Sequence, residues 1–195
     1  EIMNKVLSGS EIEDILSSSF NNQIESQGND YVQISNENSL DIFNYLKIEQ
    51  KYELLSSVTS VDRISHFEVV YHLTSLQKNE SLVIKIKCGE GRIDPKVKSV
   101  ISVWRGAELQ EREIYDLMGI MFEGHPNMKR LLLWENFEGH PLRKDFPLTG
   151  HNEVRYSEDE KKVIYESVKL EQDYRNFDYE SPWEGTKYIK DKIKE

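Results

Sequence analysis

Cysteine is nearly absent: Cys88 stands alone among 195 residues. That count excludes an internal disulfide framework and any all-cysteine iron–sulfur or zinc site. Its neighbours Leu82, Ile84 and Ile86 alternate with polar residues, which predicts a small buried strand residue and not a reactive thiol. Long apolar runs are missing too. Hydrophobic residues make up 37% of the chain, and no run approaches the roughly 18–20 residues that cross a bilayer. Positive charge is in deficit, with 25 Lys and Arg against 35 Asp and Glu and a net charge of −10. Such a surface repels phosphate backbones and anionic lipid heads, so nucleic acid is not an expected partner. The start, Glu1-Ile2-Met3-Asn4-Lys5, lacks a basic head followed by an apolar stretch. No secretory signal is therefore expected, and a first residue other than Met suggests that the first residues were removed or are missing.

Against these absences stands one repetition. Phe-Glu-Gly-His-Pro occurs at 122–126 and again at 137–141, in a chain with only five His and five Pro. Glu111-Arg112-Glu113 precedes the first copy, Lys129-Arg130-Leu131-Leu132-Leu133-Trp134 joins the two, and Leu142-Arg143-Lys144-Asp145-Phe146-Pro147 follows the second. The whole stretch reads as a recognition surface more than as an active site.

Periodicity sets the frame around it. Ile12, Ile15, Leu16 and Phe20 recur at helical spacing behind Ser10 as a cap, and the Ser-, Asn- and Gln-rich residues 17–30 break that pattern. Residues 31–34 read as a short strand, and Asn38 or Ser39 opens a second helix carrying Leu40, Phe43, Tyr45 and Leu46. Phe67, Val69, Tyr71 and Leu73 alternate, as do Leu82, Ile84, Ile86 and Cys88, with a turn at 77–80 between them: a β-hairpin, with 54–61 as a partner strand. From 97 to 118 the spacing predicts helix again, in two pieces hinged near Gly106. The fold class expected is α+β: a small mixed sheet with packed helices, followed by a long extended C-terminal tail. Three regions are expected: an α+β domain at 1–118, the twin loop at 119–149 and an interaction tail at 150–195.

Within the dense stretch Glu108, Arg112 and Asp116 stand at i, i+4 on one helix face. Such pairs stabilise an exposed helix by only about 0.3–0.5 kcal/mol each. A rigid charged face presented to a partner is the functional reading. In each pentapeptide the proline drives the preceding His out of helical geometry and the glycine permits an unusual backbone angle, giving a bend anchored by an aromatic. His125 and His140, fifteen residues apart and without cysteine, have poor metal spacing. They are expected to cap turns or contact a partner. An acid–base pair with Glu123 or Glu138 is chemically conceivable, but no nucleophile motif, oxyanion donor or glycine-rich phosphate loop accompanies it.

The run 111–118 (Glu-Arg-Glu-Ile-Tyr-Asp-Leu-Met), followed by His125, Lys129 and Leu131-Leu132, resembles the signature of the thirty-kilodalton subunit of respiratory complex I, the NADH:ubiquinone oxidoreductase. The run 139–147, and Asp62-Arg63 leading into 67–71, are similar to the same family. The stretch through Arg175-Asn176-Phe177-Asp178 to Ser181-Pro182-Trp183-Glu184 resembles its mitochondrial and alphaproteobacterial branch. The resemblance spans 61–184. Leu109, His66 and Ser167 depart from the family pattern, where an aromatic, Arg and Pro are common. It implies a non-catalytic subunit of the peripheral arm of a proton-pumping complex. Such a chain binds no flavin, cluster or metal, although the whole complex uses FMN, iron–sulfur clusters and ubiquinone. It implies other peripheral-arm subunits as partners, chiefly the forty-nine-kilodalton subunit, at a mitochondrial inner membrane on the matrix side or on the cytoplasmic face of a bacterial membrane. Interface residues are then expected at Glu111, Arg112, Glu113, Asp116, His125, Lys129, Arg130, His140, Arg143, Lys144 and Asp145, with Phe177 and Trp183 as tail anchors. Competing readings are the equivalent subunit of a ferredoxin-fed complex or membrane-bound hydrogenase, and a small hydrolase using a His and a carboxylate. The aromatic- and β-branched-rich residues 163–168 favour an extended tail lying across a neighbouring subunit over a helix at 158–172.

Overall fold

A computed structural model describes residues 4–89, 91–170 and 172. Phe177 and Trp183 therefore lie outside the described residues. The elements follow in the order β1 (Lys5–Val6), α1 (Gly9–Phe20), β2 (Ile24–Gln27), β3 (Val32–Ile34), α2 (Ser39–Ile48), β4 (Leu54–Asp62), β5 (Phe67–Ser75) and β6 (Glu80–Cys88). Then come β7 (Lys96–Lys98), α3 (Ala107–Met118), β8 (Met121–Glu123), β9 (Asn152–Ser157) and β10 (Lys162–Ser167). Two compact units divide between Leu148 and Thr149.

The larger unit is built on a mixed sheet ordered β2-β3-β6-β5-β4, with β1 also paired to β6. The alternation in β5 and β6 does what a period of two requires. Phe67, Val69, Tyr71 and Leu73 stand opposite Cys88, Ile86, Ile84 and Leu82, and all eight are fully buried. Val32 and Ile34 of β3, parallel to β6, extend that face. Phe43 of α2 rests on it, 4.7 Å from the Tyr71 ring and 5.7 Å from Trp104. Ile12 and Leu16 of α1 complete the core.

The cap of α1 is Ser8, not Ser10. Ser8 and Glu11 form a reciprocal capping box, with the Ser8 N–H donating to the Glu11 carboxylate at 2.8 Å. The helix runs on through Ser17–Ser19 to Phe20, and β2, unsuspected in the polar stretch after it, pairs antiparallel with β3. Polar composition hid that strand because its side chains are mostly exposed.

The helical reading of 97–105 fails. Val97, Val100 and Val103 recur every three residues and are buried, which imitates a helix face. Instead β7 pairs in parallel with β8, and the chain then turns through bonds from Val103 and Trp104 N–H to the Val100 carbonyl at 2.9 and 2.8 Å. Backbone pairing with β8 competes better than a helix rich in β-branched residues. The second piece is helical as expected, from Ala107 to Met118. It ends at Gly119, whose φ of 69° and N–H bond to Tyr115 O make a left-handed cap.

In the smaller unit β9 and β10 form an antiparallel hairpin from Asn152 to Ser167. The chain is extended there, as expected, but it pairs with itself. Val163 faces Tyr156 and Tyr165 faces Val154, so four apolar residues share one face, each 50–63% exposed.

Candidate functional site

The middle of the dense stretch converges on the carboxylate of Asp116, which is wholly buried at the last turn of α3. Three successive backbone N–H groups, of Leu131, Leu132 and Leu133, donate to its Oδ2 at 2.9, 2.7 and 2.9 Å. Arg130 donates to Oδ1 at 2.8 Å. Burial alone would raise this carboxyl, but the donors from Leu133, Arg130, Leu132 and Leu131 outweigh it and hold the group at about 2. Successive N–H groups turned on one anion form a nest, and here the anion is the protein's own.

The loop is fastened by cations whose heads are turned on backbone carbonyls. Arg130 also donates to the carbonyls of Asp116, Phe137 and Gly139. Arg112 donates from Nε to Lys129 O at 3.1 Å and from Nη2 to Arg130 O at 3.0 Å. The i, i+4 ladder expected on α3 is replaced by these reaches into the loop. Arg143 donates to Met118 O at 2.7 Å and to Gly119 O, satisfying carbonyls that a helix end leaves open. His140 Nδ1 donates to Asp116 O at 2.9 Å, so the proton stands on that nitrogen. Burial lowers the His140 pKa; the bond to Asp116 O opposes the shift, and Arg143 and Arg130 add to it. Both pentapeptide glycines have positive φ, 86° at Gly124 and 90° at Gly139, so the repeat encodes the same bend twice. The anchors differ: Phe122 is buried in the core, whereas Phe137 lies between Trp134, met edge-to-face at 4.8 Å, and Phe146 at 6.0 Å.

A second buried carboxylate ties the far end of the loop to the sheet. Asp62, at the end of β4, accepts a forked pair from Arg92, the Ile64 N–H at 2.8 Å and the Lys144 N–H at 2.9 Å. Arg92 holds this carboxyl well below the usual range against the cost of burial, with the Lys144 and Ile64 N–H groups adding to its effect. Arg92 bonds Asp145 as well, at 2.9 Å. The guanidinium carbons of Arg92 and Arg143 stand 4.6 and 4.9 Å from the Phe67 ring centroid. Arg92 is silent in the sequence, because nothing in a glycine-flanked loop signals a partner thirty residues upstream.

The remaining expected residues divide. Glu111 is fully buried and accepts from Ser99 Oγ at 2.6 Å and Val100 N–H at 2.7 Å, so it faces the core and not a surface. Burial pushes its pKa up to about 7 against those two bonds. Glu113, Lys129 and Lys144 are exposed. His125 Nε2 donates to Glu108 O at 3.1 Å while Nδ1 accepts from Asn127 N–H, which makes the ring a turn cap. Beside the loop lies a shallow cleft of about 450 Å³, lined by Arg112, Tyr115, Met128, Lys129, Arg130, Leu133 and Glu135.

One hydroxyl–imidazole–carboxylate chain does exist, from Ser65 Oγ to His66 Nδ1 at 2.9 Å and from His66 Nε2 to Glu68 Oε1 at 3.2 Å. It sits on the turn between β4 and β5, and Glu68 is shared with Arg63 at 3.0 Å. With its carboxylate paired to Arg63 and its hydroxyl on an exposed turn, it fastens that turn. Among the described residues no group of three or more His, Cys, Asp or Glu is placed to hold a metal ion, and no helix is long and apolar enough to cross a membrane.

The site is thus an α+β frame whose arginines are turned on its own backbone to fix a loop. Similarity to known proteins narrows this further. The family described as "Respiratory-chain NADH dehydrogenase, 30 Kd subunit" matches residues 32–152, and the chain belongs to it. An NADH-quinone oxidoreductase subunit of Azorhizobium caulinodans is 55% identical over 65% of this chain and 59% of its own length. The subunit of the same name from Mesorhizobium japonicum is 46% identical over 78% of this chain and 77% of its own. A chain of the archaeal membrane-bound sulfane sulfur reductase, a respiratory membrane complex, shares the fold. Its TM-score is 0.60 at 22% identity, covering 71% of this chain and 85% of that one.

Proposed function

We propose that this chain is a structural subunit of the peripheral arm of a proton-pumping NADH:quinone oxidoreductase, packed on the forty-nine-kilodalton subunit. On this reading it carries no flavin, cluster, metal or catalytic residue of its own, and it works by presenting a rigid loop to its neighbours. One observation carries the reading: the groups that could do chemistry, His125, His140, Arg112, Arg130 and Asp116, are engaged in fixing residues 124–146 to α3. Identity of 46% to an NADH-quinone oxidoreductase subunit, over 77% of that relative's length, supports the respiratory complex over a hydrogenase or ferredoxin-fed machine. The matrix side of a mitochondrial inner membrane, or the cytoplasmic face of a bacterial one, is the corresponding location.

Co-purification of a tagged chain tests the assignment, with NADH:quinone reductase subunits as the expected companions. Elemental analysis and a visible spectrum of the chain alone test the rest. One equivalent of iron or zinc that survives chelation would overturn the cofactor-free reading.

A further inference from the structure

The Asp116 nest has a consequence for the side chains that ride on it. Because the N–H groups of Leu131, Leu132 and Leu133 all point inward to one buried carboxylate, the backbone of this run is pinned against α3. Leu132 is left 62% exposed and Trp134 51% exposed, with Leu131 at 37%. Apolar side chains on a mobile loop could fold away from water; on a pinned one they cannot. Leu133, in the same run, turns into the cleft with Tyr115 and Met128. The result is a pre-ordered apolar knuckle beside an aromatic, the combination that anchors protein interfaces at little entropic cost.

The charge around it is opposite to that of the chain. Arg130 is neutralised by Asp116, but Arg112 is held through Nε and Nη2 by the carbonyls of Lys129 and Arg130, which do not cancel its charge. With exposed Lys129 beside it and Glu135 as the opposing group, the cleft keeps a net positive charge on a molecule whose total is −10.

We propose that the cleft and the 131–134 knuckle together dock an acidic, amphipathic segment of a partner subunit. The partner's carboxylates meet Arg112 and Lys129, and its apolar side chains cover Leu132 and Trp134. The inference rests on the subunit role proposed above and specifies where and by what chemistry the partner is held.

The test uses the assembled complex carrying the full chain. p-Benzoylphenylalanine is placed at Leu132, and as a control at Ile93, which is 88% exposed on a different loop. After irradiation, position 132 should crosslink to one partner subunit at a peptide rich in Asp and Glu, several-fold more than position 93. Lys129→Glu should lower assembly roughly fivefold, with the deficit shrinking as salt is raised, because a rim charge acts through screened attraction. Assembly without a crosslink at 132 would overturn the docking site while leaving the subunit role intact. A crosslink to a neutral or basic peptide, or to a second copy of this chain, would also overturn it. Failure of the unmodified chain to join a complex would remove the subunit role, and the docking site with it.

Discussion

Two buried carboxylates on one helix, five residues apart, respond to pH in opposite directions. Asp116 is held at about 2, below the ordinary value of 3.8. Its contribution to stability is complete above the unfolded value and is lost as pH falls through the folded one, to the extent of about 2–3 kcal/mol. Asp116→Asn should remove the Arg130 ion pair and turn an amide NH2 either on Arg130 or on the three N–H donors that share Oδ2. The outcome expected is rapid cleavage between 124 and 146 in limited proteolysis at pH 7, with α3 and the sheet retained by circular dichroism. Glu111 has the reverse sign. Its folded value of about 7 lies above the ordinary 4.5, so the folded state binds more protons between these limits. Stability should therefore fall as pH rises from about 4.5 to 7, by about 3–4 kcal/mol in all, and stay low above that. Glu111→Gln, which mimics the neutral acid, should flatten urea unfolding midpoints between pH 5 and pH 8. A variant whose midpoint still declines over that range would show that another group is responsible. The Tyr71 hydroxyl, buried and without a hydrogen-bond partner among the described residues, is one neighbour whose field Glu111 affects.

At the scale of elements, the β5–β6 hairpin, β4 and α2 were legible from alternation and helical spacing, because one-sided burial writes itself into the sequence. β2 was hidden by its exposure, and β7 by a run of valines every third residue. In the loop, the residues were visible but their direction was not. Arg112, Arg130, Arg143 and His140 stood out as a charged, histidine-bearing cluster. Nothing local told that their heads turn inward to backbone carbonyls of the loop itself and of the end of α3. The glycines allow a sharp test of that arrangement. A Cβ at Gly119 would lie 2.5 Å from His140 and Arg143 atoms, on top of a φ of 69°, whereas a Cβ at Gly124 would meet nothing within 4 Å. Gly124→Ala should cost only the left-handed penalty of about 1 kcal/mol. Gly119→Ala should cost about 2–4 kcal/mol, since the strain and the displacement of both loop fasteners add. Thermal unfolding of the two variants side by side checks the difference, and equal losses would mean that His140 and Arg143 yield without cost.

At the scale of the molecule, the surface left over is the part that needs a partner. The hairpin of β9 and β10 has two strands only, and such a pair is marginal in water without a covered face. Its cross-strand cluster of Val154, Tyr156, Val163 and Tyr165 is at least half exposed. One ion pair on it, Arg155 with Glu166 at 2.5 Å, is itself solvent-facing and contributes little. Burying that face would remove roughly four large apolar side chains from water, at about 1.5–3 kcal/mol for each fully covered. That gain is more than enough to order a short hairpin when a neighbouring subunit supplies the cover. Proteolysis of the isolated chain should therefore cut within 149–167, near the turn at Glu158–Lys161, before it cuts the sheet of the larger unit. In the assembled complex the same sites should be spared. Tyr156→Ser with Val163→Ser, which leaves the backbone register untouched but removes half the apolar face, should restore cleavage in the complex. If the isolated and assembled chains resist equally, the hairpin is stable alone, and its apolar face then has no bearing on assembly.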